Sequence, residues 1–255
     1  RAAQIDKDGN VTLSSEIPAG KPAAEKSAED GTGESQPLYM SLNHVMEYYI
    51  FAYYFQPATE VRCTDIPYGE YYRTYGQLAL SMQKYNGAKK AYERAIAWNP
   101  VDLDAYLGLA EVYKYQNQRE KYLTVTKQAY RYCCTRATMA RYYRNMAFYY
   151  LSGYEPETAR ACYQYSNVYY HTENADSELK YISEAIQQET PQTDIRAIQK
   201  LFDEKQIEPG PDSQTIGIVY KVGEILLKDG DYKLAKDCYS IVYDITQDAA
   251  AEKML

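Results

Sequence analysis

Small, aromatic and aliphatic residues recur along this chain at helical spacing, and the stretches they form are versions of one stretch. The first reads Tyr72-x2-Tyr75-Gly76-x2-Ala79, then Ala88-x3-Tyr92, Ala95 and Pro100. The second starts 34 residues later and reads Tyr106-x2-Leu109-Ala110-x2-Tyr113, then Ala129. Two apolar stripes with a short polar break between them predict a pair of antiparallel helices. The pattern places such pairs at 69–84 with 87–98, 103–116 with 118–132, 137–152 with 156–170, and 214–228 with 231–246. Turns are expected at Asn86-Gly87, Ser152-Gly153 and Asp229-Gly230, and Asn99-Pro100 stops the first pair. From Ala110 to Ala147 the spacing is 37, so three residues are inserted, which the connection 134–139 absorbs.

The pattern is weaker between the third and last pairs. Leu179, Ile182, Ala185 and Ile186 form one stripe, and Ile195, Ile198, Leu201 and Phe202 form another, before Pro209-Gly210-Pro211 breaks the chain. This reads as a degenerate hairpin over 174–213. At the other end, Leu38, Leu42, Met46, Tyr49, Ile50 and Tyr53 predict a single helix within Pro37–Phe55. Residues 1–36 hold no aromatic residue and are rich in Gly, Pro, Ala, Ser, Glu and Lys, too little apolar surface to offset their ordering entropy. Asp8-Gly9, between Ile5 and Val11, reads as the turn of a small hairpin.

A period of this length marks a helical repeat array. The fold class expected is all-α: an α-solenoid of antiparallel helical hairpins wound as a right-handed superhelix, with an extra N-terminal helix and a mostly irregular N-terminal segment. The divisions are 1–36 flexible or partly β, 37–68 helix and connection, 69–173 three repeats, 174–213 the degenerate hairpin and 214–255 the last hairpin and tail. The small residues have a steric reason. Gly76, Ala110, Ala147 and Gly223 fall where the first helix of a pair meets its partner, and Ala88, Ala159 and Ala235 fall opposite. A large side chain at either place would force the helices apart.

At these residues the sequence resembles the tetratricopeptide repeat family. Tyr72, Gly76, Ala88, Tyr92, Ala95 and Pro100 follow its pattern closely, as do Tyr143, Ala147, Tyr150, Ala159 and Tyr163. The resemblance covers about 69–249, with a gap over 174–213. It implies a non-enzymatic protein-interaction module whose first helices line a concave groove for a peptide or partner segment. Carried onto this chain, the candidate groove residues are Arg73, Gln77, Glu111, Lys114, Tyr115, Arg141, Arg144, Asn145 and Phe148. Some members clamp a terminal carboxylate with basic and Asn side chains. Arg73, Gln77, Arg141 and Asn145 echo that clamp, while Gly108 stands where a clamp Asn is expected.

Composition narrows the chemistry. With 28 basic and 35 acidic residues the net charge is −7, which argues against nucleic acid as the main partner. Within 114–144, however, eight basic residues face one acidic one, so an acidic protein or peptide partner fits that stretch. A second reading is RNA or polyanion binding there, through Arg and Tyr. A third makes the chain the scaffold or regulatory part of a longer protein, since it begins with Arg1. Tyrosine supplies 31 of 36 aromatics, suiting thin helical layers where the ring packs and the hydroxyl finds a polar partner. Five cysteines without a CxxC suggest neither a disulfide framework nor a zinc site, and point to a reducing compartment, the cytoplasm. His44 and His171 are far apart, and no P-loop, GxSxG, HExxH or GxGxxG occurs. No catalytic residue, cofactor, metal or transmembrane segment is therefore expected.

Overall fold

The computed structural model describes residues 37–255, together with the backbone of two short strands, β1 (Gln4–Ile5) and β2 (Val11–Thr12), which pair antiparallel. The Asp8-Gly9 turn lies outside the described residues. Two compact units result, Arg1–Gln116 and Asn117–Leu255. Within each, neighbouring helices pack on one another, the all-α arrangement of helical hairpins that the sequence pattern implies.

In the first unit α2 (Tyr68–Ser81) packs on α3 (Tyr85–Trp98), and α4 (Leu103–Tyr115) packs on both. The aromatic and small sites meet as their sequence order requires. A Cβ on Gly76 would stand 3.0 Å from the Tyr92 ring, and one on Gly108 would enter that ring, so Tyr92 lies in a slot cut by two glycines. This explains why Gly108 does not carry the Asn of a carboxylate clamp: there is no room for it. The turn between α2 and α3 is not at Asn86-Gly87. It runs through Met82–Lys84, with Gln83 left-handed at φ +58°, and Asn86-Gly87 lie in the first turn of α3.

The predicted N-terminal helix starts later than its stripe. Leu38–Met40 forms β3, paired parallel with β4 (Val61–Cys63), and α1 covers only Val45–Phe55. Backbone pairing outcompetes the helical pattern at Leu38, and Leu42 lies outside α1. The Glu47 carboxylate accepts from the Asn43 backbone N–H (2.6 Å) and from Asn99 Nδ2 (2.7 Å), tying the start of α1 to the end of α3. Ser41 donates to the Trp98 carbonyl and accepts from the Gly69 N–H, and the Tyr68 ring stacks on Trp98 at 4.6 Å.

In the second unit α5 (Arg119–Tyr130) packs on α6 (Arg136–Ser152), which packs on α7 (Pro156–Tyr169). Thr135 caps α6, and the Thr138 hydroxyl answers it in a reciprocal capping box. Both α8 (Glu173–Ile186) and α9 (Ile195–Lys205) pack on α7. The last pair, α10 (Ser213–Lys228) and α11 (Tyr232–Thr246), carries the short α12 (Ala249–Glu252). It repeats the slot of the first unit, since a Cβ on Gly223 would lie 3.0 Å from Tyr239. The start of α10 is fastened to the end of α5, where Thr215 Oγ1 donates to the Arg131 carbonyl at 2.6 Å. Among the described residues no helix is long and apolar enough to cross a membrane.

Candidate functional site

Five candidate groove residues lie in the first unit. Arg73 and Gln77 are one turn apart on α2, and Glu111, Lys114 and Tyr115 are on α4, which packs beside α2. Arg73 is engaged within the fold: Nη1 donates to Asp102 (3.2 Å) and Asp104 (3.4 Å). Asp102 is buried and caps α4 by accepting from the Ala105 N–H. Burial pushes its carboxyl above the usual range, and the Arg73 charge opposes that rise. Lys114 lies 4.0 Å from Glu111, one turn back. Tyr115 is exposed and stacks on Tyr85 (5.6 Å). Gln77 is exposed. The unit thus brings together an exposed amide, an acid–base pair and an aromatic face, with Arg73 held at their edge.

The other four lie on α6. Arg141 is half-buried, and Arg144 donates to the Tyr170 carbonyl at 3.4 Å. Burial and the nearby Arg141 charge pull the Arg144 pKa below its ordinary value. Asn145 and Phe148 face inward against α5. The Tyr122 hydroxyl donates to the Asn145 carbonyl (3.1 Å), and the Tyr122 ring meets Phe148 edge-on at 5.4 Å. Asn145 Nδ2 is buried with no hydrogen-bond partner among the described residues.

Other basic residues of 114–144 are also used by the fold. Arg136 donates to the Val168 (2.8 Å) and Tyr169 (2.9 Å) carbonyls, closing the C-terminal end of α7. Arg119 lies 3.9 Å over the Tyr149 ring and donates to the Tyr149 carbonyl, in the space left by Gly153.

The sequence pattern did not single out a tyrosine cluster in this unit. Tyr143 packs against Tyr165, Tyr169 and Phe202, with centroids 4.9 to 5.6 Å apart. Three hydroxyls from three helices then donate to three consecutive carbonyls: Tyr143 to Glu208 (2.8 Å), Tyr165 to Pro209 (2.5 Å) and Tyr130 to Gly210 (2.9 Å). The chain's own Pro-rich connection is thereby held by α5, α6 and α7. The available signal was the pairing of surplus tyrosine with a segment whose carbonyls no helix could satisfy. The four buried or partly buried thiols, Cys133, Cys134, Cys162 and Cys238, all have pKa values raised by burial, so none is an activated nucleophile. Among the described residues no group of three or more His, Cys, Asp or Glu could hold a metal ion.

The family pattern described as tetratricopeptide repeat matches residues 69–102, which span α2, α3 and the turn leading to α4. The chain carries a tetratricopeptide repeat. No curated protein sequence matches the chain. Among solved structures it is similar to one in the crystal structure of the APC/C hetero-tetramer Cut9-Hcn1, at 14% identity and TM-score 0.43, over 72% of this chain and 35% of that one. It is also similar to the yeast Sti1 TPR2AB-domain:pHSP90 complex, at 12% identity and TM-score 0.43, over 73% of this chain and 67% of that one. A third is YrrB, titled a TPR protein with an unusual peptide-binding site, at 16% identity and TM-score 0.39, over 75% of this chain and 93% of that one.

Proposed function

We propose that the chain is a protein-interaction module that binds a peptide or partner segment on the side-by-side first helices of its repeats. The observation that carries this reading is the matched repeat at 69–102, with α4 packed beside α2 at the same repeat positions. Gln77 and Glu111 are equivalent positions 34 residues apart, and Lys114 and Tyr115 follow on the same helix. An exposed amide and aromatic ring, with a partly exposed carboxylate and ammonium between them, can meet a peptide backbone and its side chains without a catalytic step. Within the second unit, half-buried Arg141 on α6 carries a positive charge that would by itself suit an acidic segment. Against polyanion binding by 114–144 stands the use of Arg119, Arg136 and Arg144 in holding backbone carbonyls.

A peptide array spanning acidic, neutral and basic sequences, read against the full chain, tests the proposal. Binders are expected, and Gln77→Ala with Lys114→Ala and Tyr115→Ala should weaken them by roughly tenfold or more, as loss of an aromatic anchor and two polar contacts does. The thermal midpoint should change little, because none of the three side chains is buried. Retained affinity in that variant would remove α2 and α4 as the binding surface.

A further inference from the structure

The first repeat presents an apolar stripe that the second repeat buries. Tyr71, Tyr75 and Leu78 on α2 and Met82 at its C-cap are 60%, 56%, 58% and 54% exposed. Thirty-four residues on, Ala105, Leu109 and Val112 occupy the first three of those positions on α4 and are fully buried, in a helix that packs on α3. The stripe is therefore the stacking face of a repeat, shaped to take another helix and left uncovered among the described residues. We infer that this face pairs with the same face of a second copy of the chain, α2 against α2, antiparallel about a two-fold axis.

Three observations favour a second copy. The four residues are uncharged, so two identical stripes meet without like-charge repulsion. Exposed Glu70 lies at one end and exposed Lys84 just beyond the other, so antiparallel pairing brings Glu70 to the partner's Lys84, whereas parallel pairing would set like charges together. Head-to-tail stacking on the last hairpin is disfavoured, because the exposed side of α11 sets Lys233, Lys236, Asp237 and Asp244 around its exposed Tyr232 and Leu234, charges that an uncharged stripe would have to desolvate. Tyr71 then packs near the partner's Met82, and Tyr75 near the partner's Leu78. Covering these stripes removes on the order of 1,000 Å² over both copies, the small end of specific interfaces, where weak dimers are found. This inference is independent of peptide binding on the other face of α2.

Sedimentation velocity of the full chain from about 1 to about 200 μM tests it, across the range where a micromolar dimer dissociates. A concentration-dependent monomer–dimer equilibrium is expected. Tyr75→Lys with Leu78→Lys should weaken it by about tenfold or more while leaving the thermal midpoint in place. Glu70→Lys should weaken it too, and adding Lys84→Glu should restore it, which a merely structural role for either residue would not do. A chain that stays monomeric throughout, or a dimer that survives the double lysine variant, overturns the inference. So does a dimer that the charge reversal fails to rescue.

Discussion

At Tyr154 the backbone is left-handed, φ +62°, and the side chain is 94% exposed. The same place in the other pairs holds Gln83, Asn117 and Gly230, at φ +58°, +54° and +84°. Every first helix ends on this residue, yet only the last uses the one that meets no Cβ penalty there. Tyr154→Gly is accordingly expected to stabilise the protein by about 1 kcal/mol, read as a rise in denaturation midpoint at unchanged m-value. Gly108 gives the opposite result. Its missing Cβ is the space in which Tyr92 sits, so Gly108→Ala should cost about 1–3 kcal/mol. From the sequence, Tyr154 did not stand out at all, and Gly108 stood out only as a place where a clamp Asn was expected. What forbids a side chain is a ring from another helix, 16 residues earlier in the chain.

At the scale of elements, the hairpins were legible because a stripe of small and aromatic residues has to face its partner helix. The connections were not, because their partners come from far along the chain. The segment 208–210 is the clearest case: among the described residues its carbonyls accept from Tyr143, Tyr165 and Tyr130. Tyr143→Phe keeps the ring against Phe202 and leaves the Glu208 carbonyl without that donor. A loss of about 1–2 kcal/mol is expected, with hydrogen exchange rising first in the connection between α9 and α10. The start of α1 teaches the same lesson. Its stripe begins at Leu38, but strand pairing takes Leu38–Met40, and Glu47 fixes the helix start after Asn43.

Over the whole molecule, buried tyrosines and cysteines make stability depend on alkaline pH. Burial raises the phenols of Tyr130, Tyr142, Tyr143 and Tyr163 above their ordinary 10.0, and the thiols of Cys134 and Cys238 from 9.0 to about 11. An acid whose folded pKa is raised keeps its proton in the native state while the unfolded chain ionises. Stability from these groups is therefore full below about pH 9 and is lost as pH rises through 9 and 10 toward the folded values. Beyond the phenolate signal of exposed rings such as Tyr71, Tyr75 and Tyr154, a second rise in phenolate absorbance should accompany the loss of helical circular dichroism, in the unit Asn117–Leu255 that holds all six groups. Complete ionisation of the tyrosines while the helical signal persists would mean that these rings are open to water. By itself the sequence determined the helical pairs, the places where they touch and the repeat that residues 69–102 match, since close packing of helices leaves so few side chains to choose from. The tertiary structure alone decided that Arg73, Arg136 and Arg144 are held by acids and carbonyls of the fold, and that a Pro-rich connection lies on tyrosine hydroxyls. It also left the stripe of Tyr71, Tyr75, Leu78 and Met82 bare among the described residues. Each depends on which distant groups arrive beside a side chain, and a local pattern carries no record of that.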